Sequence, residues 1–373
     1  MSTQRVNLLD FDCAGLEAFF SQQGEKAFRA HQVLKWIYHS GVAEFDAMTN
    51  LSKTLRVTLA ESTEIALPEV ATDQLSKDGT RKWLMRLADG NCIETVFIPD
   101  SERGTLCVSS QVGCPLDCAF CVTAQQGFNR NLTSGEIVGQ VWIANQRLGL
   151  ARGDGAWPGV NDTRAITNVV LMGMGEPLLN VDNVVRACRL LIDDLGFGLS
   201  KRRVTLSTAG VVPGLERLSQ QLDVSLAVSL HAVTNELRNQ LVPINRKYPI
   251  EQLLEACRRF ISGDSRRRIT WEYIMLAGIN DSLEDAHQLV KLLRGIPSKV
   301  NLIPFNPYPG APYQPSSDPV LNTFREVLIK AGIMAITRKP RGQDIDAACG
   351  QLAGEVINRR KREMHRAGVE MRA

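Results

Sequence analysis

An α/β fold centred on a full or partial (β/α) barrel, with a small helical unit and a β-hairpin ahead of it, is predicted by three features of the sequence. From Thr105 onward, short β-rich runs alternate with amphipathic stretches of helical period, which implies βα units, a parallel sheet and right-handed crossovers. Roughly six such units in succession favour a barrel over a doubly wound sheet, although periodicity alone leaves the choice open. Glycine-rich and small polar motifs also fall repeatedly where these strands end, which is where a parallel α/β sheet places its functional groups.

The elements follow in order. Leu16, Phe19 and Phe20, then Val33, Leu34, Ile37 and Tyr38, recur at helix-face spacing and make residues 12 to 60 a helical unit. Lys26, Arg29 and Lys35 lie on or beside these helices, where they can dock a polyanion. The runs KWLMRLA and NCIETVFIP flank Asp89-Gly90, the turn signal of a hairpin. The barrel strands are TLCVSSQV, TNVVLMG, RVTLST, VSLAVSL, RITWEYIM and KVNLIPF, with a last one near residue 336, and the helices are 133–148, 181–194, 251–261, 283–294 and 319–331. Residues 149–164 break this rhythm and read as a surface loop. The organisation is therefore 1–62 as a helical accessory domain, 63–100 as a hairpin connector, 101–343 as the barrel, and 344–373 as a C-terminal extension with a basic helix.

Composition narrows the function classes. A hydrophobic fraction of 44% with 22% charged residues suits a folded chain with a sizeable core. No basic region precedes an apolar run at the start, and no apolar stretch has the length of a membrane span. Nine cysteines at irregular spacing argue for a reducing cytoplasm and against a disulfide framework. The net charge of +3 conceals four basic runs, Lys201–Arg203, Arg266–Arg268, Arg338–Arg341 and Arg359–Arg362. Each alone reads as a solvated face, and together they favour a nucleic-acid partner.

The chemistry concentrates in GCPLDCAFC. Cys114, Cys118 and Cys121 stand in C-x3-C-x2-C spacing, which gathers three thiolates in one loop and suits a cubane iron–sulfur cluster whose fourth iron is left open to a small molecule. A zinc knuckle would pair such a run with a second Cys/His pair, and none occurs. Phe120 offers an aromatic face there or simply packs. At the next strand end, Gly173-Met174-Gly175-Glu176-Pro177 combines glycines that permit close backbone approach with a carboxylate able to accept from an ammonium group. Ser207, Ser229, His231 and Asn306 end later strands, and polar groups at successive strand ends point to a ligand site. Cys107, taken alone, reads as a small buried hydrophobe. Cys349, between small residues in DIDAACGQLAG, reads equally as buried or as an exposed reactive thiol. Glu94 reads as an exposed strand carboxylate.

Taken together, GEKAFRAHQVLKWIY, GCPLDCAFCVTAQQGFNRNL, GMGEPLLN, FGLSKRRVTLSTAGVVP, SLHA, PFNPYPGAPY and DIDAACGQLAG resemble the radical S-adenosylmethionine (radical SAM) superfamily. Within it, the chain is similar to the bacterial dual-specificity methyltransferases of carbon 2 of adenine in large-subunit (23S) ribosomal RNA and in transfer RNA. The resemblance covers nearly the whole chain. It implies a partial barrel core, one [4Fe–4S] cluster on Cys114, Cys118 and Cys121, and S-adenosylmethionine chelated to the open iron. Gly175, Glu176, Ser207, Ser229, Leu230, His231 and Asn306 would hold the rest of that molecule. Cys349 would carry the methyl group, Cys107 would be its thiol partner in a transient disulfide, and Glu94 a proton acceptor. Val122, where a smaller residue is common, and the long 149–164 loop depart from the family pattern.

The resemblance also implies a route suited to a carbon that is no nucleophile. Cys349 takes a methyl from one S-adenosylmethionine by displacement, and a second is cleaved reductively to a radical that removes hydrogen from the S-methyl group. The resulting carbon radical adds to the ring; Cys107 then attacks Cys349 to release product, and the ring proton passes to Glu94. A low-potential donor of flavodoxin or ferredoxin type, a monomeric state and a cytoplasmic location are implied as well. Methylation at carbon 8, which uses the same cluster and cysteines, is the nearest alternative; a non-catalytic iron–sulfur RNA-binding protein is the alternative from another class. A methylthio-transferase would need a second cysteine triplet, which the sequence lacks.

Overall fold

The computed structural model describes residues 5–101, 103–152, 164–262 and 267–354. Its N-terminal unit runs from β1 (Val6–Asn7) through α1 (Cys13–Gln22), α2 (Phe28–Tyr38) and α3 (Lys53–Ser62) to β2 (Thr63–Glu64), which pairs parallel with β1. Its helix starts are written in the sequence: the Asp12 side chain accepts from Gly15 N–H, and the Ser52 hydroxyl from Leu55 N–H. Leu16, Phe20, Val33, Leu34 and Ile37 are buried along the expected faces.

The chain then enters β3 (Glu69–Leu75), β4 (Arg81–Arg86), β5 (Cys92–Asp100) and β6 (Arg103–Cys107), which pair antiparallel in sequence. The Asp89-Gly90 turn joins β4 to β5, with Gly90 at φ 84°. A separate antiparallel pair, β7 (Gln111–Gly113) and β8 (Phe128–Asn131), brackets the cysteine loop and the short α4 (Val122–Gln125). The run TLCVSSQV is thus two strands. Ser110 and Gln111 N–H both turn to Met174 O, and the Ser109 hydroxyl donates to Glu94 O, so the ladder breaks after Cys107.

After α5 (Ser134–Arg152) the expected alternation appears: β9 (Asn168–Leu171), α6 (Val181–Ile192), β10 (Val204–Thr208), α7 (Val212–Gln221), β11 (Ser225–Ser229), α8 (Asn235–Leu241), α9 (Ile250–Ile261), β12 (Ile269–Met275), α10 (Leu283–Leu292), β13 (Ser298–Pro304), α11 (Asp318–Lys330) and β14 (Met334–Thr337). One sheet of ten strands results, in the order β14-β13-β12-β11-β10-β9-β6-β5-β4-β3, parallel from β6 to β14 and open at β14 and β3 among the described residues. This is a partial barrel whose sheet continues into the hairpin strands. Its strands read as apolar runs because both faces are covered: Leu206, Leu226, Val228, Trp271, Val300 and Leu302 are all buried. Two helices were not legible in the sequence. Pro213 and Gly214 in the first turn disguise α7, and α8 is only seven residues long.

Residues 153–163 of the long loop, Arg266 and the whole Arg359–Arg362 run lie outside the described residues. Among those described, no helix is long and apolar enough to cross a membrane.

Candidate active site

The cysteine loop is positioned by a glycine. Gly113 has φ 71°, and a Cβ there would meet Gly127 O at 1.8 Å, so only glycine lets β7 close on β8 immediately before Cys114. Cys114 N–H then donates to Gly127 O (3.0 Å), and Ala119 N–H reaches Leu241 O at 3.1 Å. Cys114, Cys118 and Cys121 line one cavity of about 180 Å³ over the strand C-termini, together with Gly175, Glu176, Ser207, Ser229, His231 and Cys349. Burial pushes all three thiols up, Cys114 to about 12, with the other cysteines and Glu176 adding to the effect at Cys118.

The three sulfurs do not all lie within 4.8 Å of one another; among the described residues that close grouping is found for Cys13, Glu17 and His31. One tetrahedral ion would hold its sulfurs about 3.8 Å apart at a metal–sulfur length of about 2.3 Å. Three thiols of one loop that line one cavity are a donor set suited to a cubane cluster.

The strand-end residues divide into those that face the cavity and those that shape it. The Glu176 carboxylate accepts from Leu178 N–H (3.0 Å) and Ala209 N–H (2.7 Å), so it ties the β9 and β10 ends together while bordering the cavity. Burial raises its pKa against the pull of these donors. Gly175, at φ 100°, makes its closest approach to Gln111, where a Cβ would meet the side chain at 2.5 Å. The sequence placed that close approach at a ligand; its first cause is the protein's own β7. Ser207 and Ser229 present hydroxyls to the cavity.

His231, a non-glycine residue at φ 60°, stacks edge-on against Phe120 with centroids 4.7 Å apart. Its Nδ1 accepts from Ile274 N–H at 3.0 Å, and burial followed by the Arg238 charge lowers its pKa to about 3. The ring is therefore neutral, with its proton on Nε2. Leu230 is fully buried, and its N–H and carbonyl are taken by Glu272 O and Arg238 Nε. Asn306 does not line this cavity but the neighbouring one past the end of β13; it donates from Nδ2 to Cys349 O (3.4 Å) and keeps a buried Oδ1 without a partner.

Cys107 and Cys349 lie within electrostatic reach of each other. Cys107 ends β6, and its thiol is pushed up to about 12, first by burial and then by Cys349. Cys349 is solvent-exposed yet ringed by protein; burial raises its thiol and Glu272 adds to this, while Arg338 opposes it. Its loop is fastened at several points. Val122 N–H donates to Gly350 O (2.9 Å), Thr123 Oγ1 to Leu352 O (2.6 Å) and Gln351 Nε2 to Pro307 O (3.0 Å). Val122, the departure noted in the sequence, thus contributes only its backbone here.

Glu94 corrects the exposed-carboxylate reading. It is buried, its Oε1 lies 2.9 Å from Lys82 Nζ, and its Oε2 accepts from Ala353 N–H at 2.7 Å. Lys82 also donates to Asp346 O (3.2 Å), so this ion pair anchors the Cys349 loop on both sides. On β5, Glu94 lies two residues from Val96, whose ladder partner is Cys107, so all three side chains share one sheet face.

Arg238 went unnoticed in the sequence because it looks like an ordinary polar residue of a short helix. It is fully buried and donates to Leu230 O (3.0 Å), Ser229 O (3.0 Å), Ala209 O (2.7 Å) and Asn245 Oδ1 (2.8 Å), binding the β10 and β11 ends beneath the cysteine loop. Burial lowers its pKa to about 10, which leaves it charged at neutral pH. Arg238→Met leaves these acceptors unsatisfied and is expected to cost about 3 kcal/mol or more in a denaturant melt. A loss below about 1 kcal/mol would remove this structural role.

Residues 6–65 match the ribosomal RNA large subunit methyltransferase N-terminal domain, and residues 160–293 match the radical SAM superfamily. The crystal structure of a radical SAM methyltransferase from Sphaerobacter thermophilus is 44% identical and covers 93% of this chain and 99% of its own, with a TM-score of 0.84. A domain of pyruvate-formate lyase-activating enzyme from Bacteroides vulgatus matches at 16% identity over 46% of this chain and 99% of its own, TM-score 0.34. Streptococcus suis SuiB bound to S-adenosylmethionine matches at 14% identity over 63% and 50%, TM-score 0.44. The family implies a [4Fe–4S] cluster and S-adenosylmethionine, and the thiol set and the cavity over the strand ends fit both. On the strength of the Sphaerobacter relative and the N-terminal domain match, the chain belongs to the RlmN-type family of radical SAM methyltransferases.

Proposed function

We propose that the protein methylates carbon 2 of adenosine in large-subunit ribosomal RNA and in transfer RNA, using Cys349 as methyl carrier. The observation that carries this reading is the meeting of Cys349 with Cys114, Cys118 and Cys121 in one cavity, with Cys107 within electrostatic reach. A protein that only generates a radical needs no further thiol facing its cluster.

In this reading Cys114, Cys118 and Cys121 hold the cluster, which when bound with S-adenosylmethionine supplies the one-electron cleavage that makes a carbon radical. Glu176 fixes the two strand ends on which Ser207 sits and, with Gly175, borders the methionine side of that ligand. Neutral His231 offers Nε2–H, and Asn306 offers Oδ1. Cys349 takes a methyl as a thiolate, a state that Arg338 favours. Cys107, as a thiolate, attacks the Cys349 sulfur; the S–S bond forms as the S–C bond to the transferred carbon breaks, and that carbon keeps the electron pair and takes a proton to complete the methyl group. Glu94, on the same sheet face as Cys107, accepts the ring proton, with Lys82 beside it to hold the charge. The protein acts as a cytoplasmic monomer reduced by a flavodoxin- or ferredoxin-type donor.

The test is nucleoside mass spectrometry of separated ribosomal and transfer RNA from a strain lacking the gene. Loss of 2-methyladenosine from both fractions, restored by the intact gene, is expected. Loss of 8-methyladenosine alone would move the reaction to the other ring carbon, and no change in either fraction would sink the RNA assignment.

A further inference from the structure

The N-terminal unit carries a set of donor atoms that the proposed reaction does not use. Cys13 is the first residue of α1 and Glu17 follows it by about one turn, so both side chains stand on the same face of that helix. His31 comes from α2, which packs against α1, and its Nε2 lies 2.5 Å from Glu17 Oε1. Cys13 Sγ lies 3.8 Å from the same oxygen. All three donor atoms fall within 4.8 Å of one another, and all three residues are half-buried.

An ion pair alone accounts for Glu17 and His31 but gives Cys13 little to do. An S–H group is a weak donor, whereas a thiolate is a strong metal ligand. The thiol stands among anions: burial pushes it up to about 11, and Asp193, Glu17 and Asp12 all add to the effect. A bound cation would reverse that penalty on the thiolate, and the α1 N-terminus favours the same charge. The donor types select the ion. Thiolate and imidazole suit zinc and its neighbours, whereas calcium and magnesium take oxygen ligands. The spacing agrees: tetrahedral zinc holds a sulfur and an oxygen about 3.5 Å apart, and a nitrogen and an oxygen about 3.3 Å apart. The sulfur–oxygen separation is already close to this. The His31–Glu17 pair has to open by about 0.8 Å, which side chains 41% and 37% exposed can do by rotamer adjustment.

We propose that Cys13, Glu17 and His31 bind a divalent ion of the zinc class, with water as the fourth ligand, and that this ion staples α1 to α2. The ion bonds to the Cys13 sulfur as the thiol proton leaves to solvent. Its role is structural, and methyl transfer needs nothing from it. The donors come from two helices that only the folded unit holds together, so the ion binds the folded form and stabilises it. Asp193 is the residue that closes α6, so its charge beside Cys13 extends the same cluster to the barrel.

The experiment uses the intact protein with its cluster assembled anaerobically, so that the cysteine triplet is engaged, and titrates it with zinc against a chromophoric chelator. About one zinc per chain should bind, and zinc should shield Cys13 from alkylation by iodoacetamide, read by peptide mass spectrometry. Cys13→Ser and His31→Gln each keep a hydrogen-bonding side chain beside Glu17 while removing a ligand. Each should weaken zinc binding at least about 100-fold. Cys349→Ala should bind zinc as tightly as the wild type, because its thiol belongs to the barrel cavity. Iron content and thermal melting without zinc show that the variants are folded. No zinc uptake by the wild type, less than about tenfold weakening in either ligand variant, or zinc lost in Cys349→Ala overturns the site. Every readout is binding to the N-terminal unit, so the result stands apart from the nucleoside analysis, which decides the methyltransferase reading.

Discussion

On the proposed route, Cys349→Ala is expected to abolish methyl transfer to RNA while leaving the iron–sulfur cluster in place. The thiol has no substitute: among the cavity-lining residues, every other cysteine belongs to the cluster triplet. Removing a covalent nucleophile typically costs several orders of magnitude, so a fall of at least about 10⁴-fold in product formation is expected. Iron and sulfide content stay at the wild-type level, because Cys349 lies on a different loop from the triplet. Cys118→Ala is the contrasting variant and loses the cluster itself. Measurable 2-methyladenosine from Cys349→Ala would show that the methyl travels by another path; loss of iron in that variant would place Cys349 among the ligands.

On the same proposed route, Cys107→Ala is expected to stall the reaction one step later. The sulfur of Cys349 then becomes bonded through the transferred carbon to the base, and nothing is placed to attack it. A covalent protein–RNA species should accumulate that withstands denaturing electrophoresis, with multiple-turnover rate lowered by roughly 100-fold or more because thiol exchange at close range has lost its thiol. The expectation draws on the nearness of the two residues, since Cys349 adds to burial in raising the Cys107 thiol. Normal turnover by Cys107→Ala, with no slow-migrating species, would end the two-cysteine scheme.

Much of the fold was legible because it is periodic. The seven parallel strands and the five helices expected between them all appear, since apolar runs and 3.6-residue spacing are local properties of the chain. The break after Cys107 was not legible: it depends on Ser109 and Ser110 bonding to Glu94 and Met174, which are distant in sequence. The site shows the same division. The cysteine triplet, Ser207, Ser229 and His231 could be found as chemistry at strand ends. Arg238 could not, because nothing in LRNQL distinguishes a fully buried guanidinium from a solvated one. A burial signal exists only once the β10 and β11 carbonyls converge on it.

By itself the sequence determined the alternating α/β class, the cysteine loop and the family resemblance, since each is carried by spacing within a short stretch. What the tertiary structure decided concerns groups that are far apart. Glu94 became a buried, Lys82-paired acceptor holding Ala353, 259 residues away. Cys349 came to line two cavities, one with the cysteine triplet and the other with Arg338, Lys339 and Arg341. Spacing records what a single helix, strand or loop can do. Burial, ion pairing and the meeting of two cavities arise from contacts between remote segments, and these exist only after the chain has closed on itself.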